Sequence, residues 1–379
     1  MNIMKIAQRL KSWGIKTLAL STATGLMAIN PAYAAEEFYS LNDFLAVNKI
    51  DAHVHTNSSN SAFIELAIKN NFKLLSINVD YPDFPGIDKQ LAITTEFKAQ
   101  HPNVLAFAST FSMRDWNDEQ WGSNVITSLK SSFDKGAVAV KVWKNIGMDF
   151  RDKNNALIQL NNSKLTPIFN FLSDQGVPLI GHQAEPKNCW LPVSEMTVTN
   201  DQQYFTNHPQ YHMYLHPELP SYEDHMHIRN EVLSNYPKLN FVGAHLASIE
   251  WSVDELAKFL DRFPLATVDM AARMGQIQYQ SKRGYNKVRN FFIKYQDRLL
   301  YATDLTHQPQ EPISESSAKS FASDVEKRWR SDWEYLTSAN EMTTIEVEGN
   351  FKGLHLPKKI INKIYETNAL KTYKNAFKE

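Results

Sequence analysis

Lys49-Ile50-Asp51-Ala52-His53-Val54-His55 is the stretch from which the rest of the chain is read. It is a short β-prone run with a polar residue at every second position from Asp51 onward. Side chains at i and i+2 of a strand lie on one face. Asp51, His53 and His55 are therefore expected together, with Ile50, Ala52 and Val54 on the other face. Seven more β-rich runs follow, at 73–79, 104–110, 137–143, 177–181, 240–244, 265–269 and 299–303. Between them lie amphipathic stretches at 61–70, 88–101, 155–175, 222–236, 251–263 and 286–295. Gly and Pro punctuate several handovers, as in Gln175-Gly176-Val177-Pro178. Strands alternating with helices predict a parallel α/β sheet, and eight is the number that closes a barrel. No phosphate-binding glycine fingerprint follows the first strand, which argues against an open doubly wound sheet. The expected fold is α/β, a (β/α)8 TIM-like barrel, with a long loop after strand 5 (184–221) and an insertion after strand 8 (306–355). Within the insertion, 316–336 reads as a helix, and 357–373 reads as a last helix packing back on the barrel. In such a barrel the polar trio of the first strand would face the axis, and Ile50 and Val54 the helices.

The composition fits a folded chain of this kind. Of 379 residues, 43% are hydrophobic and 21% charged, which excludes a disordered, collagen-like or coiled-coil protein. A formal net charge of −1 argues against a nucleic-acid binder. A single cysteine, Cys189, excludes an intrachain disulfide framework and a Cys-rich zinc module. The first 34 residues read as a separate object. Lys5, Arg9, Lys11 and Lys16 precede a short apolar run over 17–29, and Ala32-Tyr33-Ala34 matches an A-x-A cleavage pattern. A cleavable signal peptide over 1–34 is expected, followed by one catalytic domain over 35–379. The run is short for a membrane span, and no Cys follows it to carry a lipid. The mature protein is expected to be exported, periplasmic or secreted, with no membrane attachment after cleavage.

His53 and His55 at a strand end form half of a divalent-metal site. Three later residues complete the pattern. His182 follows strand 5 in Leu179-Ile180-Gly181-His182. His245 follows strand 6 in Phe241-Val242-Gly243-Ala244-His245. Asp304 follows strand 8 in Tyr301-Ala302-Thr303-Asp304. Barrel closure carries these strand ends to one rim, where residues remote in sequence converge. Imidazoles with one carboxylate suit zinc, with iron, manganese and nickel as alternatives. Lys141, in Ala137-Val138-Ala139-Val140-Lys141-Val142-Trp143, has the parity of Trp143 and should face the interior. It would be a charge near substrate or a carbamylated metal bridge.

These residues resemble the amidohydrolase superfamily, in particular its amidohydrolase-2 branch of aminocarboxymuconate-semialdehyde decarboxylase-like metal-dependent enzymes. The carriers are Asp51-Ala52-His53-Val54-His55, the Lys141 strand, Gly181-His182, Gly243-Ala244-His245, Ala302-Thr303-Asp304, and the tail Leu356-Pro357 with Ile364-Tyr365-Glu366-Thr367-Asn368-Ala369. The resemblance implies that His53, His55, His182 and Asp304 hold one divalent ion, most often zinc. It implies that His245 acts beside it as acid/base or oxygen polariser, while Lys141 leaves a second ion open. The expected activity is hydrolysis of a C–N or C–O bond next to a carbonyl of a small molecule by metal-activated water, with Asp304 carrying the proton. The alternative is metal-dependent, non-oxidative decarboxylation of an aromatic or unsaturated carboxylic acid. Arg273 is a candidate for a substrate carboxylate, Trp143 for an apolar wall, and Glu185 for a polar contact beyond His182. His208, His212, His216, His225 and His227 form a histidine-rich stretch, read as surface residues or supports behind a site, with a second metal site as the lesser alternative. Homodimers are common for such barrels, but no interface is legible.

Overall fold

The computed structural model describes residues 36–309 and 315–377, with the side chains of 315–318 left aside. The proposed leader lies outside the described residues. Nine parallel strands follow one another in order around the sheet: β1 (Lys49–Thr56), β2 (Phe72–Ile77), β3 (Leu105–Thr110), β4 (Ala137–Val142), β5 (Leu179–Gly181), β6 (Phe241–Gly243), β7 (Thr267–Asp269), β8 (Leu299–Leu300) and β9 (Leu305–His307). All eight expected strands are present. The eighth is broken: β8 pairs with β7, and after a four-residue kink β9 pairs with β1. The Ala52 N–H donates to the Tyr301 carbonyl at 2.9 Å and the Asp304 N–H to the His53 carbonyl at 2.8 Å, which seals the ring across the kink. The result is a TIM-like (β/α)8 barrel.

Two apolar layers follow from strand alternation. Ile50, Ala52, Leu75, Ile77, Ala106, Ala108, Ala139, Ile180, Val242 and Leu300 fill the interior. Leu74, Leu105, Val140, Val142, Leu179 and Val268 pack outward against the helices. The alanines keep the narrow axis free of strain, as a barrel core requires.

β1 departs from simple alternation. Asp51 pairs with Leu74 and Val54 with Ser76, so three steps along β1 match two along β2. This bulge inserts one residue and changes which face later side chains take. Ile50 and Ala52 face the axis and Asp51 faces outward, contrary to the sequence reading. After the bulge His53 and His55 turn inward and Val54 packs in the outer core. Asp51 instead accepts from the Thr303 N–H (3.0 Å), the Thr303 hydroxyl (2.6 Å) and the Trp329 indole N–H (2.9 Å).

The helices depart from expectation in four places. Residues 155–162 are not helical: Arg151 and Leu157 form an isolated bridge, and the helix begins at Thr166 and runs to Gln175. Pro167 in its first turn suits a helix start, where its missing N–H costs nothing. The helices Trp121–Asp134 and Met274–Arg283 were not anticipated, nor was the helix Thr199–Asn207 inside the segment read as a long loop. The insertion after the eighth strand carries the helix Glu315–Thr337 and a small antiparallel hairpin. The last helical region continues through a π-turn at Lys363–Thr367, and Tyr373 and Ala376 reach into the barrel interior. Asn368 donates to the carbonyls of Gln296 (2.7 Å) and Leu299 (2.8 Å), fixing the start of β8. No helix among the described residues is long and apolar enough to cross a membrane.

Candidate active site

The C-terminal ends of the strands supply a cleft of about 240 Å³. His53, His55, Lys141, His182, His245 and Asp304 line it together with Trp143. One ligand atom from each of His53, His245 and Asp304 lies within 4.8 Å of the others. His55 Nε2 is 3.1 Å, and His53 Nε2 3.4 Å, from one oxygen of Asp304. The His182 and His245 ring centres are 4.3 Å apart. The compact group thus includes His245 and leaves His182 at its side, whereas the sequence reading puts His182 among the ligands and His245 beside them.

Hydrogen bonds fix the orientation of three of the rings. Carbonyl and carboxylate oxygens can only accept, so each bonded ring nitrogen must be an N–H. His55 Nδ1 donates to the Ile77 carbonyl at 2.6 Å, and His245 Nδ1 to the Ala271 carbonyl at 2.9 Å. His53 Nδ1 donates to Asp269 at 2.9 Å. Every one of these imidazoles therefore presents Nε2 to the cleft, where His55 Nε2 meets Asp304 at 3.1 Å and His53 Nε2 meets Lys141 at 3.4 Å, and a ring held through Nδ1 is the arrangement that orients a metal-binding histidine. His182 Nε2 is buried and has no hydrogen-bond partner. An orphaned buried nitrogen among oriented imidazoles and a carboxylate fits a divalent cation.

Asp269 is the residue that sequence reasoning missed. It ends β7, is fully buried, and serves two histidines at once. One oxygen accepts from His53; the other accepts the His245 backbone N–H at 2.8 Å and that of Ala271 at 3.2 Å. Its position at a strand end, like that of Asp304, was the available signal. Burial alone would raise its pKa, but His53, His245 and Lys141 hold it below the ordinary value.

His245 owes its direction to an unusual backbone. His245, Leu246, Ala247 and Ser248 all have φ between 55° and 58°. Left-handed geometry costs roughly 1–2 kcal/mol per non-glycine residue, so the turn persists only because its surroundings over-determine it. Buried Arg229 donates to the Ala247 carbonyl, the Tyr222 hydroxyl to that of Ser248, and the Ser248 hydroxyl to that of Ala184 at 2.8 Å. Gly243 is required for the same reason: a Cβ there would lie 2.4 Å from the Ala247 Cβ.

Burial, ahead of the surrounding charges, holds His182 and His245 well below the ordinary imidazole pKa, which leaves them neutral. Lys141 Nζ lies 3.4 Å from His53 Nε2, and burial lowers its pKa to about 8. Trp143 lines the cleft. Glu185 is instead paired with Lys144 in an adjoining cavity. Arg273 is not among the residues lining the cleft; it donates to the Ala272 carbonyl at 2.8 Å, and its Nε is buried without a partner. Cys189 is buried and donates to the Tyr211 carbonyl. His208, His212 and His216 hydrogen-bond to carbonyls, and the histidine-rich stretch forms no metal-type cluster among the described residues.

The family model for amidohydrolases matches residues 116–374, more than half of the chain. The chain belongs to the amidohydrolase family. This amidohydrolase is accordingly a metal-dependent enzyme, and the match, which starts at residue 116, does not itself reach His53 and His55. No curated protein matches it in sequence. Among solved structures it is similar to 2,6-dihydroxybenzoate decarboxylase from Rhizobium, at 12% identity over 86% of this chain and 98% of that one, with a TM-score of 0.50. It is also similar to an uncharacterised TIM-barrel protein from Bordetella bronchiseptica, at 13% identity over 87% and 99% of the two chains and a TM-score of 0.49. A third, 4-oxalomesaconate hydratase from Rhodopseudomonas palustris, shares 13% identity over 86% and 96%, with a TM-score of 0.46. At such identities the likeness to the decarboxylase is one of fold.

Proposed function

We propose that this amidohydrolase hydrolyses a C–N or C–O bond next to a carbonyl in a small molecule, using one divalent ion, with zinc the preferred candidate. The observation that carries the reading is the convergence of the His53, His55 and His245 rings on the Asp304 carboxylate, with His182 Nε2 unpartnered beside them. His53, His55, His182 and Asp304 would hold the ion, and the geometry admits His245 as well. When bound, a divalent ion supplies Lewis acidity and lowers the pKa of water from 15.7 to about 7. Asp304 keeps 31% of its side chain exposed, so it can take a proton from the attacking water and return it to the leaving group. His245, neutral and oriented through Nδ1, offers an Nε2 lone pair, which suits it to accept a proton or to help hold the ion. Lys141 adds positive charge beside His53, which favours an anionic transition state.

One observation favours decarboxylation as a second reading. The buried Arg273 guanidinium has an unpartnered Nε and lies close enough to depress the pKa of both His182 and His245. Turned into the cleft, whose lining it does not share here, it would seat a second acidic group of a substrate. We further propose that residues 1–34 are a cleaved export signal and that the mature enzyme works on a small molecule outside the cytoplasm. Support comes from the basic start, the short apolar run and Ala32-Tyr33-Ala34.

Protein purified without chelator should carry about one equivalent of divalent metal and lose turnover on its removal. A panel of esters, lactones, amides and benzoate-type acids, run in ¹⁸O-labelled water, separates the two reactions. Label in the product acid supports hydrolysis. Carbon dioxide without label overturns it in favour of the lyase.

A further inference from the structure

We propose that the 184–221 segment builds a second substrate chamber. In it the enzyme holds a planar, uncharged aromatic group attached to the reacting carbonyl or carboxyl head. This rests on the metal-site reading above and names the substrate class of that site. The cleft around the histidines, at about 240 Å³, falls below the range of roughly 300–1,000 Å³ usual for ligand pockets. It has room for a reacting head and little more. A second cavity of about 300 Å³ adjoins it, and Tyr81, Trp143 and Lys144 line both.

The second cavity is walled by side chains suited to a flat apolar group. Tyr81 and Trp143 meet at the seam with ring centres 4.8 Å apart. Tyr204 and Tyr211, supplied by the long segment, lie within 10° of parallel, and Met148 and Met213 add polarisable sulfur. Tyr204 and Tyr211 remain 38% and 39% exposed. Large aromatic rings left partly exposed on the wall of a cavity that adjoins the catalytic groups mark a surface for substrate.

The charges of the chamber set its second preference. Its charged lining residues are Lys144, Asp149 and Glu185. Glu185 neutralises Lys144, which leaves Asp149 as the net charge. A carboxylate on the distal end of the substrate is therefore disfavoured, while an uncharged ring is accepted.

The test uses zinc-loaded full-length mature enzyme, with the metal content of every sample measured. Binding of benzoate, 2-naphthoate and naphthalene-2,6-dicarboxylate is followed by calorimetry, beside Tyr204→Ser/Tyr211→Ser. Both tyrosines are at the surface, so the variant should fold, and circular dichroism checks it. The expected result is 2-naphthoate binding at least tenfold tighter than benzoate and than the dicarboxylate. The double variant should lose at least tenfold for 2-naphthoate while benzoate stays within twofold. Equal binding of 2-naphthoate to both proteins at full zinc content overturns the chamber and leaves the metal site standing. Failure to take up zinc, iron, manganese or nickel overturns the metal-site reading, and the chamber proposal with it.

Discussion

The two faces of β1 carry buried polar groups of opposite kinds. On the outer face, buried Asp51 has both oxygens engaged by Thr303 and Trp329. On the inner face, past the bulge, His53 and His55 are anchored through Nδ1 to Asp269 and the Ile77 carbonyl, and each turns Nε2 to a cleft shared with Asp304 and Lys141. A buried polar group with all partners in place holds a fold together. A buried donor set with its back fixed and its front open is built to receive something. The resemblance quoted Asp51-Ala52-His53-Val54-His55 as one unit; the structure divides its labour between stability and chemistry.

The largest effect should come from the open face. Asp304→Asn should lower kcat by ~100- to 10,000-fold, the usual worth of a positioned acid–base group, with the melting temperature little changed. A variant with wild-type kcat would remove Asp304 from the reaction. Next in size, Asp269→Asn keeps the volume but weakens the acceptor behind His53 and His245. Metal affinity or activity should fall ~10- to 100-fold, as is typical for a group that orients metal ligands. Retention of both in a metal titration would reduce Asp269 to a packing residue.

The closed face should answer in stability instead. Asp51→Ala strands the Thr303 and Trp329 N–H groups, at ~1–3 kcal/mol each, and should lower the melting temperature by about 5 °C or more. Metal content per folded molecule should stay the same. Loss of metal without loss of stability would erase the distinction between the two faces. The smallest effect concerns Asp332, behind the same wall, which accepts from the Tyr301 hydroxyl at 3.0 Å. Burial lifts its pKa from 3.8 to about 7. A raised carboxylate pKa means that its contribution is complete below about pH 4 and fades as pH rises through 7. The melting-temperature advantage of the wild type over Asp332→Asn should shrink from pH 5 to pH 8. A constant difference would show that Asp332 does not titrate in this window.

Much of the barrel was legible because strand–helix alternation is a local pattern. The eight runs, the Lys141 parity and the strand-end positions of His182, His245 and Asp304 could all be read from neighbours in sequence. Helix limits were less legible where turn chemistry intervened, as at 155–162. Trp121–Asp134 was passed over, although its buried residues Trp121, Val125 and Leu129 recur at helical spacing. Asp269 was passed over because nothing beside it in sequence says which histidine it will meet.

The order of elements and the chemical character of the rim were thus determined by the chain itself, since periodicity and residue type act over a few positions. Which side chains share a face of β1 was decided only by pairing with β2, because a bulge exists only relative to a partner strand. The direction of His245 was decided by a left-handed turn held by Arg229 and Tyr222. Contacts so remote in sequence become definite only when the ring closes and fixes their distances.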